Sequence, residues 1–225
     1  MTATGPNAAH PPRHVVVLGH PTPGSFNHAI AERYCATVRK CGQEATIRDL
    51  YALDFDPRLH TNRIPGHQTA MSADVAREIG FLREAEAIIL VYPIWFGMPP
   101  AIIKGYVDRV MGAGLTPGAI KDAIPDSILH HKGFGSFSSS ATTEIWLDEV
   151  GQMESVRRAF DGYLMKVFGM RDIGHVHFGA VVEGMSEAFA GQNLRDVEDH
   201  ATKICRAVEE AHCAEAGSAI NAGHS

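Results

Sequence analysis

Hydrophobic and polar positions along the chain alternate between two regimes. Residues 14–19, with Val15, Val16 and Val17, and the unbroken apolar run 87–92 read as strands buried on both faces of a sheet. Elsewhere apolar residues recur three and four positions apart, the period of one helix face. Ile30, Tyr34 and Val38 define the first such stripe, closed by Cys41-Gly42, where glycine supplies a helix stop; residues 75–82 form a second. Ile102, Ile103, Tyr106, Val107, Val110 and Met111, preceded by Pro99 and Pro100, form a third. The remaining pattern predicts strands over 44–49, 133–137 and 175–182, and helices over 153–168 and 194–212.

Five strands alternating with five helices specify an α/β domain. Right-handed crossovers between parallel strands put helices on both faces of an open, doubly wound sheet. The strand count favours the flavodoxin-like order 2-1-3-4-5, a three-layer αβα sandwich with a five-stranded parallel sheet, over a six-stranded dinucleotide-binding sheet. A single domain is expected over 14–214, between tails at 1–13 and 215–225. Two connections, 56–72 and 112–132, are long enough to expect a functional role for them.

Composition narrows the function classes. Twenty Lys and Arg against 26 Asp and Glu give a net charge of −6, without the cationic field that nucleic-acid binding relies on. The run 87–92 falls far short of the ~20 apolar residues of a bilayer-spanning helix. The Pro-, Ala- and Thr-rich start has no hydrophobic stretch of the secretory kind. Cys35, Cys41, Cys205 and Cys213 show no Cys-x-x-Cys spacing and fit reduced thiols, so a cytoplasmic location is expected.

Ligands of open parallel sheets sit beyond the carboxyl ends of the strands, where strand order reverses. The loop after the first strand reads HPTPGSFN, from His20 to Asn27, and runs into a helix. Free N–H groups and the positive end of the helix dipole meet there, beside the Ser25 hydroxyl, and suit a phosphate. A plain N-cap role for Ser25 or Asn27 is the competing explanation. The sequence has neither Gly-x-Gly-x-x-Gly nor a Gly-Lys-Ser/Thr P-loop. The loop after the third strand, PIWFGMPP, sets Trp95 and Phe96 side by side, and neighbouring residues cannot both face the core. A planar conjugated ring would stack on one of them. Ser138, Ser139, Ser140, Ala141, Thr142 and Thr143 after the fourth strand supply hydrogen-bond donors, or form a solvated linker. A phosphate cradle, a stacking wall and a donor-rich rim together describe a flavin nucleotide site.

The segments HPTPGSFN at 20–27, DLYALDFDP at 49–57 and YPIWFGMPPAIIKGYVDRVM at 92–111 resemble the flavodoxin-like NAD(P)H:quinone oxidoreductases of the DT-diaphorase type, including bacterial quinone reductases that act as ancillary subunits of potassium efflux systems. The likeness runs more weakly to about residue 182. It implies that His20, Ser25, Phe26 and Asn27 bind the flavin phosphate region, that Pro93, Ile94, Trp95 and Phe96 frame the isoalloxazine, and that Gln68 lies near the flavin. Ser139, Ser140 and Ala141 stand where relatives carry Thr-Gly-Gly, and Trp146 takes the aromatic position of the acceptor pocket, with no His to match the mammalian one. It implies FAD, with FMN next, and ping-pong hydride transfer from NAD(P)H to a quinone or similar small aromatic acceptor. It also implies a homodimer, to which Met98 and the apolar face of the third helix would contribute. A flavin-holding regulatory or electron-transfer partner, or a reductase of free flavin, is the alternative function.

Other residues invite competing chemistry. His130-His131 and His175-x-His177 lack ligand-spaced carboxylates or cysteines, so no metal site is expected and hydrogen-bonded histidines are preferred. Ser136, Ser138 and Asp148 come without a Gly-x-Ser-x-Gly elbow, which weighs against a hydrolase. Asp108 and Arg109 are expected on a solvated face or at a subunit contact.

Overall fold

The structure, a computed structural model, describes residues 10–59, 71–113 and 127–222, with 215–222 described in backbone only. Five parallel strands, β1 (Arg13–Leu18), β2 (Glu44–Asp49), β3 (Ala87–Pro93), β4 (Gly133–Ser139) and β5 (Arg171–Phe178), lie in the order β2-β1-β3-β4-β5. The helices are α1 (Phe26–Lys40), α2 (Ala73–Glu84), α3 (Ala101–Tyr106), α4 (Glu144–Glu149), α5 (Gln152–Val156), α6 (Tyr163–Phe168) and α7 (Glu187–Ala222). α3 continues into a π-helical turn, Val107–Met111, and a second π-helical turn, Arg157–Gly162, joins α5 to α6.

Because successive strand residues point to opposite faces, β1 and β3 supply two cores at once. Val16, Leu18, Ile89 and Val91 meet α1 and α7 on one face; Val15, Val17, Ile88 and Leu90 meet α2, α3 and the α5–α6 segment on the other. The α3 stripe is spent in this second core, so it leaves no apolar face for a subunit contact. Close packing sets the exit of β1: a Cβ on Gly19 would stand 2.5 Å from Ile103 Cγ1. Beneath α1, His14 Nδ1 lies 2.7 Å from Tyr34 Oη and its Nε2 2.8 Å from Gln43 Oε1. The amide oxygen can only accept, so Nε2 carries the hydrogen and Nδ1 accepts from Tyr34.

Several boundaries differ from the sequence pattern. β5 occupies 171–178 in place of 175–182, because an edge strand carrying Arg171, Asp172 and His175 lacks the apolar run that marks the inner strands, whereas Val181 and Val182 mimic one. After Phe178 the chain turns through Ala180 (φ 56°), and the N–H groups of Ala180 and Val181 donate to the carbonyls of Thr142 and Ser140. β4 runs on to Ser139, so Ser138 and Ser139 belong to a strand end and not to a loop. α4 was not expected; Thr143 caps it through Trp146 N–H. α7 begins seven residues before 194, where Ser186 accepts from Phe189 N–H, and its backbone stays helical to Ala222, through most of the stretch read as a tail. Arg13, assigned to the other tail, is in β1 and pairs with Glu44 and Glu84.

Candidate functional site

Loops from three neighbouring strands leave the same edge of the sheet: 19–25 after β1, 94–100 after β3 and 140–143 after β4. Hydrogen bonds hold them as one unit. Asn27, buried in the first turn of α1, donates through Nδ2 to Ser139 Oγ at 2.9 Å, and Ile94 N–H donates to Ser139 O at 2.6 Å. His20 and Trp95, on the first and second loops, face each other with ring centroids 6.0 Å apart.

The first loop delivers α1 to the site with its N-terminus open. Ser25 is the N-cap residue but makes no side-chain cap, and the first turn contains no acidic residue. Ser25 Oγ instead lies 2.8 Å from His28 Nδ1, and His28 Nε2 lies 3.1 Å from Asp49 Oδ2. The leading N–H groups of a helix have no intrahelical acceptor, so this end keeps its partial positive charge. Phe26, partly buried, meets Phe178 edge-on at 6.0 Å, and the Asn27 side chain is spent on Ser139, so Asn27 offers the site its backbone N–H. Burial lowers the pKa of His20.

The second loop is a two-residue reversal. Trp95 N–H donates to Met98 O at 3.0 Å and Met98 N–H returns to Trp95 O at 3.2 Å, around Phe96 at φ 50° and Gly97 at φ 81°. Two consecutive left-handed residues make a primed turn, which favours Asn-Gly; a phenylalanine there is strained by about 1–2 kcal/mol. The turn leaves the Phe96 ring fully in solvent beside a half-exposed Trp95. Gln152 of α5 fixes the turn by donating to Gly97 O at 2.7 Å. Pro93 and Ile94 are buried and set the base of this loop.

The third loop is more committed than its polar sequence implied. The Ser139 hydroxyl is held by Asn27, and the Ser140 hydroxyl donates to Thr142 O at 2.8 Å and meets His177 Nε2 at 3.0 Å. Ala141 is exposed. Trp146, half-exposed on α4, makes no ring contact with Trp95 or Phe96 among the described residues. Gln68 lies outside the described residues. Arg109, read as a surface charge, is buried: it pairs with Asp74 at 2.9 Å, donates to Asp56 O and stacks over Phe55.

The Flavodoxin_2 family, described as a flavodoxin-like fold, matches residues 12–201. The chain belongs to that family. An uncharacterized NAD(P)H oxidoreductase of Haemophilus influenzae is 30% identical over 172 residues, covering 75% of this chain and 84% of that relative. NAD(P)H dehydrogenase [quinone] 1 of Rattus norvegicus is 33% identical over 121 residues, 45% of this chain and 44% of the rat enzyme, so the chain spans less than half of that relative's length. Among solved structures, an NAD(P)H:quinone oxidoreductase from Methanothermobacter marburgensis superposes with a TM-score of 0.73 at 22% identity, over 85% of this chain and 94% of that one, a likeness of fold.

Sequence reasoning missed three groups that shape this edge. Gln152 gives no signal, since its partner is a backbone carbonyl 55 positions away. The His28–Asp49 pair was foreshadowed only by Asp49 opening one resembling block and His28 following directly on another. Asp161, His175 and His177 join serines of β4 in a buried network; only the shared strand face of the two histidines hinted at it. Among the described residues no three His, Cys, Asp or Glu side chains gather as a metal site, and no helix is long and apolar enough to cross a membrane.

Proposed function

We propose that the protein is a flavin-dependent NAD(P)H oxidoreductase that reduces a quinone or a similar small aromatic acceptor. The observation that carries this reading is the pairing of an uncapped, acid-free α1 N-terminus with the exposed Trp95-Phe96 turn across the His20–Trp95 contact. The donor set fits a flavin nucleotide. The backbone N–H groups of Phe26 and Asn27 and the Ser25 hydroxyl would hold phosphate at the positive end of the helix. Pro93, Ile94, Trp95 and Phe96 would frame the ring. Since the Ser139 hydroxyl is held by Asn27 and the Ser140 hydroxyl rests on Thr142 O, the third loop would hold the flavin itself through the backbone from Ala141 to Thr143.

When bound, the flavin supplies hydride acceptance from NAD(P)H and hydride donation to the acceptor. The chain's own part is to orient its ring and to shape one pocket that nicotinamide and acceptor occupy in turn, with Trp95, Phe96 and Trp146 as its aromatic residues. No side-chain nucleophile takes part. The exposed Phe96, Met98 and Ile145 are the surfaces on which a second copy of the chain would close the pocket.

The test is direct. Purified protein is expected to carry, or take up on titration, a yellow cofactor whose released mass identifies FAD or FMN, and to oxidise NAD(P)H in the presence of a quinone. Colourless protein that binds neither flavin, or a flavin complex that leaves NAD(P)H unoxidised with quinone and free FMN alike, would reject the reading. Sedimentation gives the oligomeric state, with a homodimer expected.

A further inference from the structure

The side chains buried between β4, β5 and the turn Arg157–Gly162 form one unbroken polar chain. Asp161 Oδ2 lies 2.5 Å from His175 Nδ1, and His175 Nε2 lies 2.6 Å from Ser138 Oγ. Ser138 Oγ is 2.8 Å from His177 Nδ1, and His177 Nε2 is 3.0 Å from Ser140 Oγ, which donates to Thr142 O. The first three groups have the connectivity of a hydrolase Asp-His-Ser set, but Ser138 is completely buried and cannot meet a substrate. Ser140 is buried as well, at 6% exposure, but sits at the head of the third loop of the proposed flavin site, the end of the chain nearest the acceptor pocket.

Both ends of this chain are acceptors, a carboxylate and a carbonyl, so its five links need five hydrogens. Two hydroxyls and two neutral imidazoles carry only four. The network is complete when it holds one proton more. Burial lowers the pKa of His177 to about 4, and the charge of Arg157 acts in the same direction, so His177 stays neutral. In the complete network the additional proton lies on the Asp161–His175 pair, with the two ring N–H groups of His175 donating to Asp161 and Ser138. Ser136 Oγ donates to the other oxygen of Asp161 at 3.2 Å, which supports the carboxylate.

We propose that this chain is a proton relay from the Asp161–His175 pair to Ser140, supplying the proton that acceptor reduction consumes; it rests on the reductase reading above. NAD(P)H, a quinone and one proton give NAD(P)+ and a hydroquinone, so each turnover takes one proton beyond the hydride. Ser140 turns its O–H from Thr142 O to an acceptor oxygen and gives up that proton, taking another from His177 Nε2. His177 Nδ1 takes one from Ser138, and Ser138 takes one from His175 Nε2. Afterwards His175 keeps a single hydrogen on Nδ1 toward Asp161, and His177 is the Nδ1–H tautomer. The four links from Asp161 to Ser140 each still hold one hydrogen: the Asp161–His175 bond keeps its direction, the three from His175 to Ser140 are reversed, and only the bond to Thr142 O is given up. Water restores the proton through a cleft of about 200 Å³ lined by Arg157, Asp161, Asp172 and His175. A second cleft, of about 260 Å³, brings Glu144, Asp148 and His200 to the other side of the imidazoles.

Heteronuclear NMR of histidine-labelled full-length protein reads the protonation of each ring nitrogen without turnover. Near neutral pH, His175 is expected doubly protonated and His177 expected as the Nε2–H tautomer; a neutral His175 or an Nδ1–H His177 in the resting protein overturns the relay. In turnover, His175→Gln is expected to lower the ratio of quinone to ferricyanide reduction by roughly a hundredfold, because ferricyanide takes electrons without a proton. An unchanged ratio overturns the relay and leaves the reductase intact. Wild-type protein that oxidises NAD(P)H with neither acceptor removes the reductase reading, and the relay's task falls with it.

Discussion

Asn27 and Ser139, 112 positions apart, are joined by a buried hydrogen bond of 2.9 Å that ties the first turn of α1 to the end of β4. The same serine accepts from Ile94 N–H, so one residue couples all three loops of the candidate site. Asn27→Ala leaves the Ser139 hydroxyl buried without this partner, at a cost of about 1–3 kcal/mol. Urea unfolding should show that loss, and flavin affinity should fall with it. Combining Asn27→Ala with Ser139→Ala should cost less than the two single losses added together, as expected for directly coupled groups.

Phe96 is held at φ 50° with its ring in solvent. Phe96→Asn replaces it with a residue that tolerates this conformation, and stability should rise by about 1 kcal/mol. Flavin or acceptor affinity should fall in the same variant, since the stacking surface is removed. Gly97→Ala should do the reverse to the turn, because its Cβ would stand 2.9 Å from Gln152 Nε2 at a positive φ. Thermal unfolding and flavin titration measure the two effects separately.

Ser25 occupies the N-cap position of α1 without capping it. Ser25→Ala should therefore cost less stability than the ~1 kcal/mol typical of a lost cap. Its effect should appear in binding, as weaker flavin affinity with an almost unchanged unfolding midpoint. A full cap-sized loss of stability with unaltered affinity would assign Ser25 to the helix and not to the ligand.

His14 is buried between Tyr34 and Gln43, and burial lowers its pKa to about 4 from the 6.5 of an exposed imidazole. Between those values the unfolded chain binds the proton and the folded one does not, so stability falls as pH drops from 6.5 toward 4. The contribution of this residue reaches ~3 kcal/mol at the acid end and vanishes above the unfolded value. Urea midpoints measured across this window should fall less steeply for His14→Gln than for the wild type. His177, also near 4, adds to the same slope.

The inner strands were legible because β1 and β3 are buried on both faces, which forces unbroken apolar runs. The edge strand β5 was displaced by four residues, because one-sided burial lets Arg171, Asp172 and His175 stand where an inner strand would need apolar residues. Of the candidate site, the blocks 20–27 and 92–100 were legible by their turn residues and adjacent aromatics. The conformation of Phe96 was not, since a primed turn centred on Phe-Gly goes against local preference and is held by Gln152 from another helix.

By itself the sequence determined the parallel α/β class through local periodicity and crossover handedness, favoured the strand order 2-1-3-4-5 through its count of five strands, and pointed to the sheet edge proposed as the site. The tertiary structure decided which polar groups are spent and which remain open: Ser25 turned to His28, Ser139 to Asn27, and Ser138 and Ser140 to histidines of β5. The physical reason is range. Periodicity reports whether a position faces a core, but a buried hydroxyl finds its acceptor on a different element, brought within 3 Å only when the sheet and its helices close around it.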